Sequence, residues 1–132
     1  MSLVTIRDAI RDELVDAGSN SYALVGTRVF YPPFPQGRTF PLLTLQTISG
    51  RPEHTMGTAA GNDVFYRIQI SAWSPRADAA HAALEAAIAD LDAASLLGVE
   101  TMRHVKFRSL NPELYEPEAG LYMISADFEL VQ

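Results

Sequence analysis

Asp63-Val64-Phe65-Tyr66-Arg67-Ile68-Gln69-Ile70-Ser71-Ala72-Trp73-Ser74-Pro75 is the stretch in which this chain changes its period. From Asn62 to Trp73, Val64, Tyr66, Ile68, Ile70 and Ala72 share one face and Arg67, Gln69 and Ser71 the other, the alternation of a half-buried strand. Past Pro75 the apolar residues Ala80, Ala83, Leu84, Ala87, Ile88, Leu91 and Ala94 form one helical stripe, with Arg76, Asp78, Glu85 and Asp92 off it. Ser74 offers a capping hydroxyl, Pro75 falls in the first turn where its missing N–H costs least, and Gly98 ends the pattern. So many alanines on one stripe predict close approach to a sheet, with Leu84, Ile88 and Leu91 as the larger wedges.

Working outward, Phe40 to Ser49 reads as a second strand, with Leu43, Leu45 and Thr47 on one side and Leu42, Thr44, Gln46 and Ile48 on the other. Gly50 to Gly61 carries glycine, proline and small polar residues and predicts a long hairpin loop, a length that in compact domains marks either function or disorder. Nearer the start, Leu3, Ile6, Ile10, Leu14 and Ala17 make an amphipathic helix that Gly18 would end in a left-handed conformation. Tyr22 to Gly26 reads as a short helical turn, Arg28 to Tyr31 as a brief strand, and the proline-rich segment from Pro32 to Gly37 as a stiff loop. Downstream, Val99 to Leu110 is a weaker strand, and Asn111-Pro112 and Glu116-Pro117-Glu118 mark turns. Leu121 to Val131 alternates well, with Tyr122, Ile124, Ala126, Phe128 and Leu130 toward a core and Ser125, Asp127 and Glu129 away from it. The expectation is one α+β domain over residues 1–132: an antiparallel or mixed β-sheet with two main helices on one face, in the order α-β-β-β-α-β-β.

Composition narrows the chemistry. The 132 residues are 48% hydrophobic, enough for a core without metals or disulfides, and the absence of cysteine removes thiolate chemistry. A net charge of −6 argues against reading DNA by sequence, because that affinity comes largely from cations that release counterions from phosphates. Charges precede any apolar run suited to a signal peptide, and no stretch approaches the ~20 apolar residues of a membrane span, so no membrane partner is expected.

Few motifs invite catalysis. His54, His81 and His104 fall in a loop, on a helix and on a strand without metal-ligand spacing. Glu116 and Glu118 straddle Pro117, an acid pair without an indicated cleft or third group. The glycines from Gly57 to Gly61 lack the Lys-Ser/Thr that ends a nucleotide loop. Tyr66, Trp73, Tyr122 and Phe128 read as core packing rather than a ligand stack. The residues therefore point to a non-enzymatic interaction module without cofactors.

Four stretches in order add a resemblance: Leu24-Val25-Gly26-Thr27-Arg28-Val29-Phe30 before the proline loop; Phe40-Pro41-Leu42-Leu43 running into Gln46-Thr47-Ile48-Ser49-Gly50; Tyr66 to Trp73 leading to the alanine-rich helix; and Leu114-Tyr115-Glu116-Pro117-Glu118-Ala119-Gly120-Leu121-Tyr122. Together they resemble the tail terminators, or tail-completion proteins, of long-tailed bacteriophages and prophages, although the family commonly has two glycines where this chain has Gly26-Thr27. The resemblance implies a homohexameric ring on the last turn of the tail tube that stops its polymerisation and meets the head connector or stopper protein. It also implies a place at the head–tail junction of the virion, assembly in the host cytoplasm, and DNA that only passes through the channel. On this reading Arg51, Glu53, His54 and Met56 are candidate contacts to the tube or a neighbouring subunit, in a loop that orders on docking. Glu116, Pro117 and Glu118 form a candidate contact turn, and Arg67, Gln69, Ser125, Asp127 and Glu129 are candidates to face the channel, where acidic groups would repel DNA. The alternatives are another head–tail joining or neck protein of the same particle, and a small cytoplasmic ligand-binding or enzymatic α+β domain.

Overall fold

The computed structural model describes residues 3–16, 18–32, 39–53, 63–91 and 104–131. In chain order the elements are α1 (Leu3–Leu14), α2 (Asn20–Val25), β1 (Val29–Phe30), β2 (Leu42–Glu53), β3 (Asp63–Ser74), α3 (Ala77–Leu91), β4 (His104–Leu110), β5 (Leu114–Glu116) and β6 (Leu121–Val131). The α+β class and mixed sheet are as expected, with two elements more than the expected order: the helical turn is a capped helix, α2, and the turn region before Leu121 contains β5.

The strands form one sheet in the order β1-β2-β3-β6-β4, with β5 also paired to β6. β1 runs parallel to β2, and the other neighbours are antiparallel. β3 and β4 therefore run parallel to one another with β6 inserted between them, so the β3-α3-β4 crossover is split by the last strand. α3 spans this crossover against β2, β3, β4 and β6, α1 lies on β2, and α2 packs on α3 and α1.

Cross-strand rows explain the core. Leu43, Ala72 and Ile124 align across β2, β3 and β6; Leu45, Ile70 and Ala126 align in the next row on that face, followed by Ile68, Phe128 and Phe107. Against these sit Ile10 and Leu14 of α1 and Ala80, Ala83, Leu84, Ala87 and Leu91 of α3, all buried. The alanines lack a protruding side chain, so the helix axis comes close to the sheet and Leu84 fills the space between. Ile88 is only partly buried at the margin of this core, and Ala94 lies outside the described residues.

Several local expectations are corrected. α1 ends at Leu14 and Gly18 has no positive φ; its N–H instead donates to the Asp16 side chain, 3.0 Å away. The left-handed glycine is Gly26, at φ 60, whose N–H closes α2 on the Tyr22 carbonyl. Arg51, Pro52 and Glu53 belong to β2 rather than to a loop, paired with Phe65, Val64 and Asp63. Among the described residues β1 covers β2 at Leu43 and Thr44 alone, so Pro52 stands where β2 has no described strand on its far side and a missing N–H is tolerated. Trp73 faces away from the helices, where its indole N–H donates to Thr44 Oγ1 at 3.0 Å, and Tyr122 is half-buried against Tyr115 instead of entering the core. Bulges at Ile48 and Arg108 interrupt the ladders and leave Ile48 exposed.

α2 is too short to be stable by itself and is held from both sides. Ser19 Oγ accepts from the Tyr22 N–H and donates to the Leu14 carbonyl, joining the end of α1 to the start of α2. The Asp90 carboxylate of α3 takes the N–H groups of Asn20 and Ser21, each at 2.8 Å, so an anion from another helix satisfies the amides that α2 leaves open.

Candidate functional site

The sheet face opposite the helices carries the polar candidates. Strand register places Arg67 beside Glu129, Gln69 beside Asp127 and Ser71 beside Ser125. These rows alternate with the core rows, which puts all five candidate channel residues on the side away from α3. Asp127 Oδ1 accepts from Asn111 Nδ2 at 3.2 Å and from Gln69 Nε2 at 3.4 Å, and the same Asn111 amide reaches Ser125 Oγ at 3.0 Å. Arg108, the bulged residue of β4, lies 3.7 Å from Glu129. The strip is therefore not net acidic as the repulsion argument required: Arg67 and Arg108 balance Asp127 and Glu129. Asn111 read in sequence only as a turn marker, and the chain does leave β4 there; its part in the network depends on β4 pairing with β6, which no local pattern signals.

Glu116 closes β5, and Pro117-Glu118-Ala119-Gly120 turns the chain into β6. The Gly120 N–H donates to the Glu116 carbonyl at 2.8 Å, with Gly120 at φ 67, a conformation that disfavours a side chain. Glu116, Pro117 and Glu118 are all exposed at this hairpin tip, so the acid pair has neither the cleft nor the shielding that acid–base work requires.

Of the remaining candidates, Arg51 and Glu53 are in the β2–β3 hairpin, and His54 and Met56 lie outside the described residues. The pairs Pro52–Val64 and Glu53–Asp63 continue the hairpin past Phe65, the last β3 residue paired with β6. His81 is at the surface near the start of α3, with its Nε2 2.8 Å from Glu113 Oε1. Among the described residues no group of three or more His, Cys, Asp or Glu side chains could hold a metal ion, and no helix is long and apolar enough to cross a membrane.

A further cluster, absent from the sequence reading, joins α1 to the end of β1. The Arg7 guanidinium lies over the Tyr31 ring, 3.7 Å from its centroid, and the Tyr31 hydroxyl donates to Asp8. Arg11 Nε donates to the Val29 carbonyl at 2.9 Å. Burial, and then the bond to Asp8 and its charge, push the Tyr31 phenol above its usual value, while Arg7 opposes them. Asp8, Arg11, Asp12 and Tyr31 line a shallow cavity of about 380 Å³. Asp8 and Tyr31 are engaged with one another and Arg11 with backbone, an arrangement that pins α1 to the sheet.

What these surfaces share is polarity, exposure and strand edges. The family model described as tail completion protein gp17 matches residues 16–132. A solved chain described as the virion of a native gene transfer agent particle has the same fold, at a TM-score of 0.74 and 21% identity, over 96% of this chain and 92% of that one. Comparison with curated proteins produced no match. The match over most of its length shows that this chain belongs to the tail completion protein gp17 family, and that it is a structural, non-enzymatic protein of a phage tail.

Proposed function

We propose that the chain assembles into a homohexameric ring on the end of the phage tail tube, stops tube polymerisation there and provides the joint to the head connector or stopper protein. The observation that carries this reading is the family match, supported by a sheet that, among the described residues, has its helices on one face and leaves its two edges and the β2–β3 hairpin for partners. A head-to-tail contact between unlike surfaces is the kind that closes into a ring. The hairpin, with Arg51, Glu53, His54 and Met56, would meet the tube or the neighbouring subunit. The strip of Arg67, Gln69, Ser125, Asp127 and Glu129 would face the channel, where paired charges and small polar groups let DNA pass without gripping it. On this proposal the protein sits at the head–tail junction after assembling in the host cytoplasm.

The test uses the hairpin. Since Glu53 pairs directly with Asp63, residues 54–62 can be replaced by an Asn-Gly two-residue turn in unbroken register. A folded variant, checked by circular dichroism, that yields overlong tails in electron micrographs supports capping through this hairpin. Uniform tails of normal length joined to heads eliminate the hairpin as the capping surface. Uniform tails without attached heads favour the joining or neck role instead.

A further inference from the structure

We infer that one end of the sheet face opposite the helices, the row Trp73–Met123–Leu114, docks the head-side protein of the proposed assembly, and that this partner meets it with apolar side chains rimmed by lysine or arginine. The inference deepens the ring reading and rests on it.

Strand register makes the row contiguous. Leu42 is the direct partner of Trp73, Trp73 of Met123, and Met123 of Leu114, so the four stand side by side across β2, β3, β6 and β5. Alternation along β3 puts Trp73 on the side of Gln69 and Arg67, away from α3. Exposure rises outward along the row: Leu42 is buried, Trp73 and Met123 are half-buried, and Leu114 at the edge is 55% exposed. The next row on this face, Thr44, Ser71 and Ser125, is closed to solvent at 5%, 7% and 3%. Only beyond it come Gln69 and Asp127, then Arg67 and Glu129. The polar rows suit a water-filled channel, whereas an exposed leucine continuous with methionine and tryptophan suits a protein surface.

Charge defines the rim of the partner and separates it from a second copy of this chain. Glu116 lies two residues beyond Leu114 on β5, hence on the same face, and Glu118 is in the adjoining turn. Both are exposed, with no cation partner among the described residues. From Ser109 to Leu121 the chain has three glutamates and no lysine or arginine. An apolar centre beside unpaired carboxylates calls for an apolar surface with cations around it. This chain has little of that kind to offer. Arg7 lies on the Tyr31 ring, Arg11 and Arg28 donate to backbone carbonyls, Arg76 pairs with Asp78, and Arg108 with Glu129. Among the arginines with described side chains only Arg67 has no such partner, and it belongs to this same face.

Position assigns the row to the head side. The hairpin proposed to meet the tube leaves the sheet at the Glu53–Asp63 pair, and the apolar row crosses β2 and β3 at their other end, at Leu42–Trp73. Asp63 and Trp73 are separated by roughly 33 Å of strand at the usual rise per residue. With the hairpin on the tube, the opposite end of the same two strands is the end left for the head, and the Glu116–Glu118 turn projects there as well.

The experiment caps purified tail tubes with the full-length chain, unaltered or carrying Leu114→Asp, Leu114→Met or the pair Glu116→Lys and Glu118→Lys, and mixes them with purified heads. Electron micrographs give tail length and the fraction of tails joined to heads, and circular dichroism confirms folding. All variants should cap tails at normal length. Leu114→Asp and the double substitution should each lower joining at least tenfold, while Leu114→Met stays within about twofold of the unaltered chain. The double substitution alters exposed residues only, so it decides the matter should Leu114→Asp fail to fold. Normal joining by either variant overturns the inference. So do overlong tails from folded Leu114→Asp, which would put the row on the tube, and loss of its assembly in sedimentation velocity, which would put a second copy there. An unaltered chain that leaves tubes uncapped overturns the ring reading itself.

Discussion

Truncating Leu84 to alanine should be the most damaging single change on α3, and the structure sets its size. Leu84 is 1% exposed and is surrounded on its own helix by Ala80, Ala83 and Ala87, at 0–1%. Alanine has no rotamer with which to fill a void, so collapse around the lost atoms is limited and the cost belongs in the middle of the large-to-small range, about 3–4 kcal/mol. With 132 residues, the unfolding entropy is about 0.28 kcal/mol/K, and the melting temperature should fall by roughly 11–14 °C. Ile88 occupies the same stripe but only the margin of the core, so Ile88→Ala should cost about 1–2 kcal/mol, below the full-burial range. Glu85 is exposed, and Glu85→Ala should stay within about 0.5 kcal/mol. Urea unfolding followed by circular dichroism, with thermal melts beside it, separates the three. Equal shifts for Leu84→Ala and Glu85→Ala, or a larger loss for Ile88→Ala than for Leu84→Ala, would refute the docking of α3 described above.

Asp90→Ala should cost about 1–3 kcal/mol by leaving the first amides of α2 without their acceptor, and should speed hydrogen exchange at Ser21 far more than in β3; unchanged exchange there would remove the cross-helix cap. The Tyr31 phenol titrates above its usual 10.0 in the folded chain, so its stabilising contribution is complete below about pH 10 and is lost as pH rises through the raised folded value. Tyr31→Phe should abolish that alkaline loss, as read by denaturant midpoints at several pH values, and an identical alkaline profile would exclude the half-buried Tyr31 phenol as its source. Replacing His54, His81 or His104 singly by Gln should leave assembly intact, with His81→Gln losing at most the exposed contact to Glu113; a tight metal stoichiometry lost on any one change would refute the metal-free reading.

Much of the candidate site was legible as pattern and little of it as arrangement. Alternation alone placed Ser125, Asp127 and Glu129 on one side of the last strand and Arg67 and Gln69 on one side of β3. That the two sets share a strip depends on β3 pairing with β6, which joins Arg67 to Glu129, Gln69 to Asp127 and Ser71 to Ser125, partners far apart in the chain. The strand end at Asn111 was legible as a turn, but not that it falls beside Asp127, which depends on β4 pairing with β6; Arg108 beside Glu129 was invisible because a bulge has no periodic signature.

What the sequence by itself determined are the elements whose period is imposed by burial on one face. The switch from two to 3.6 between Trp73 and Ala77, the alanine stripe of α3 and the alternation of β6 follow from where apolar side chains must go, and they specify the α+β class before any contact is known. Tertiary structure alone decided the rest. The β3-α3-β4 crossover is split because the last strand enters between its two strands, a choice made by long-range pairing and not by local preference. Arg51 to Glu53 became strand because a continuing ladder satisfies backbone groups that Gly50 and Pro52 would otherwise leave to a loop. α2 stands as a six-residue helix because Asp90, seventy residues away from Asn20, accepts its amides. In each case the energy comes from a partner distant in sequence, and a reading that moves along the chain has no access to it.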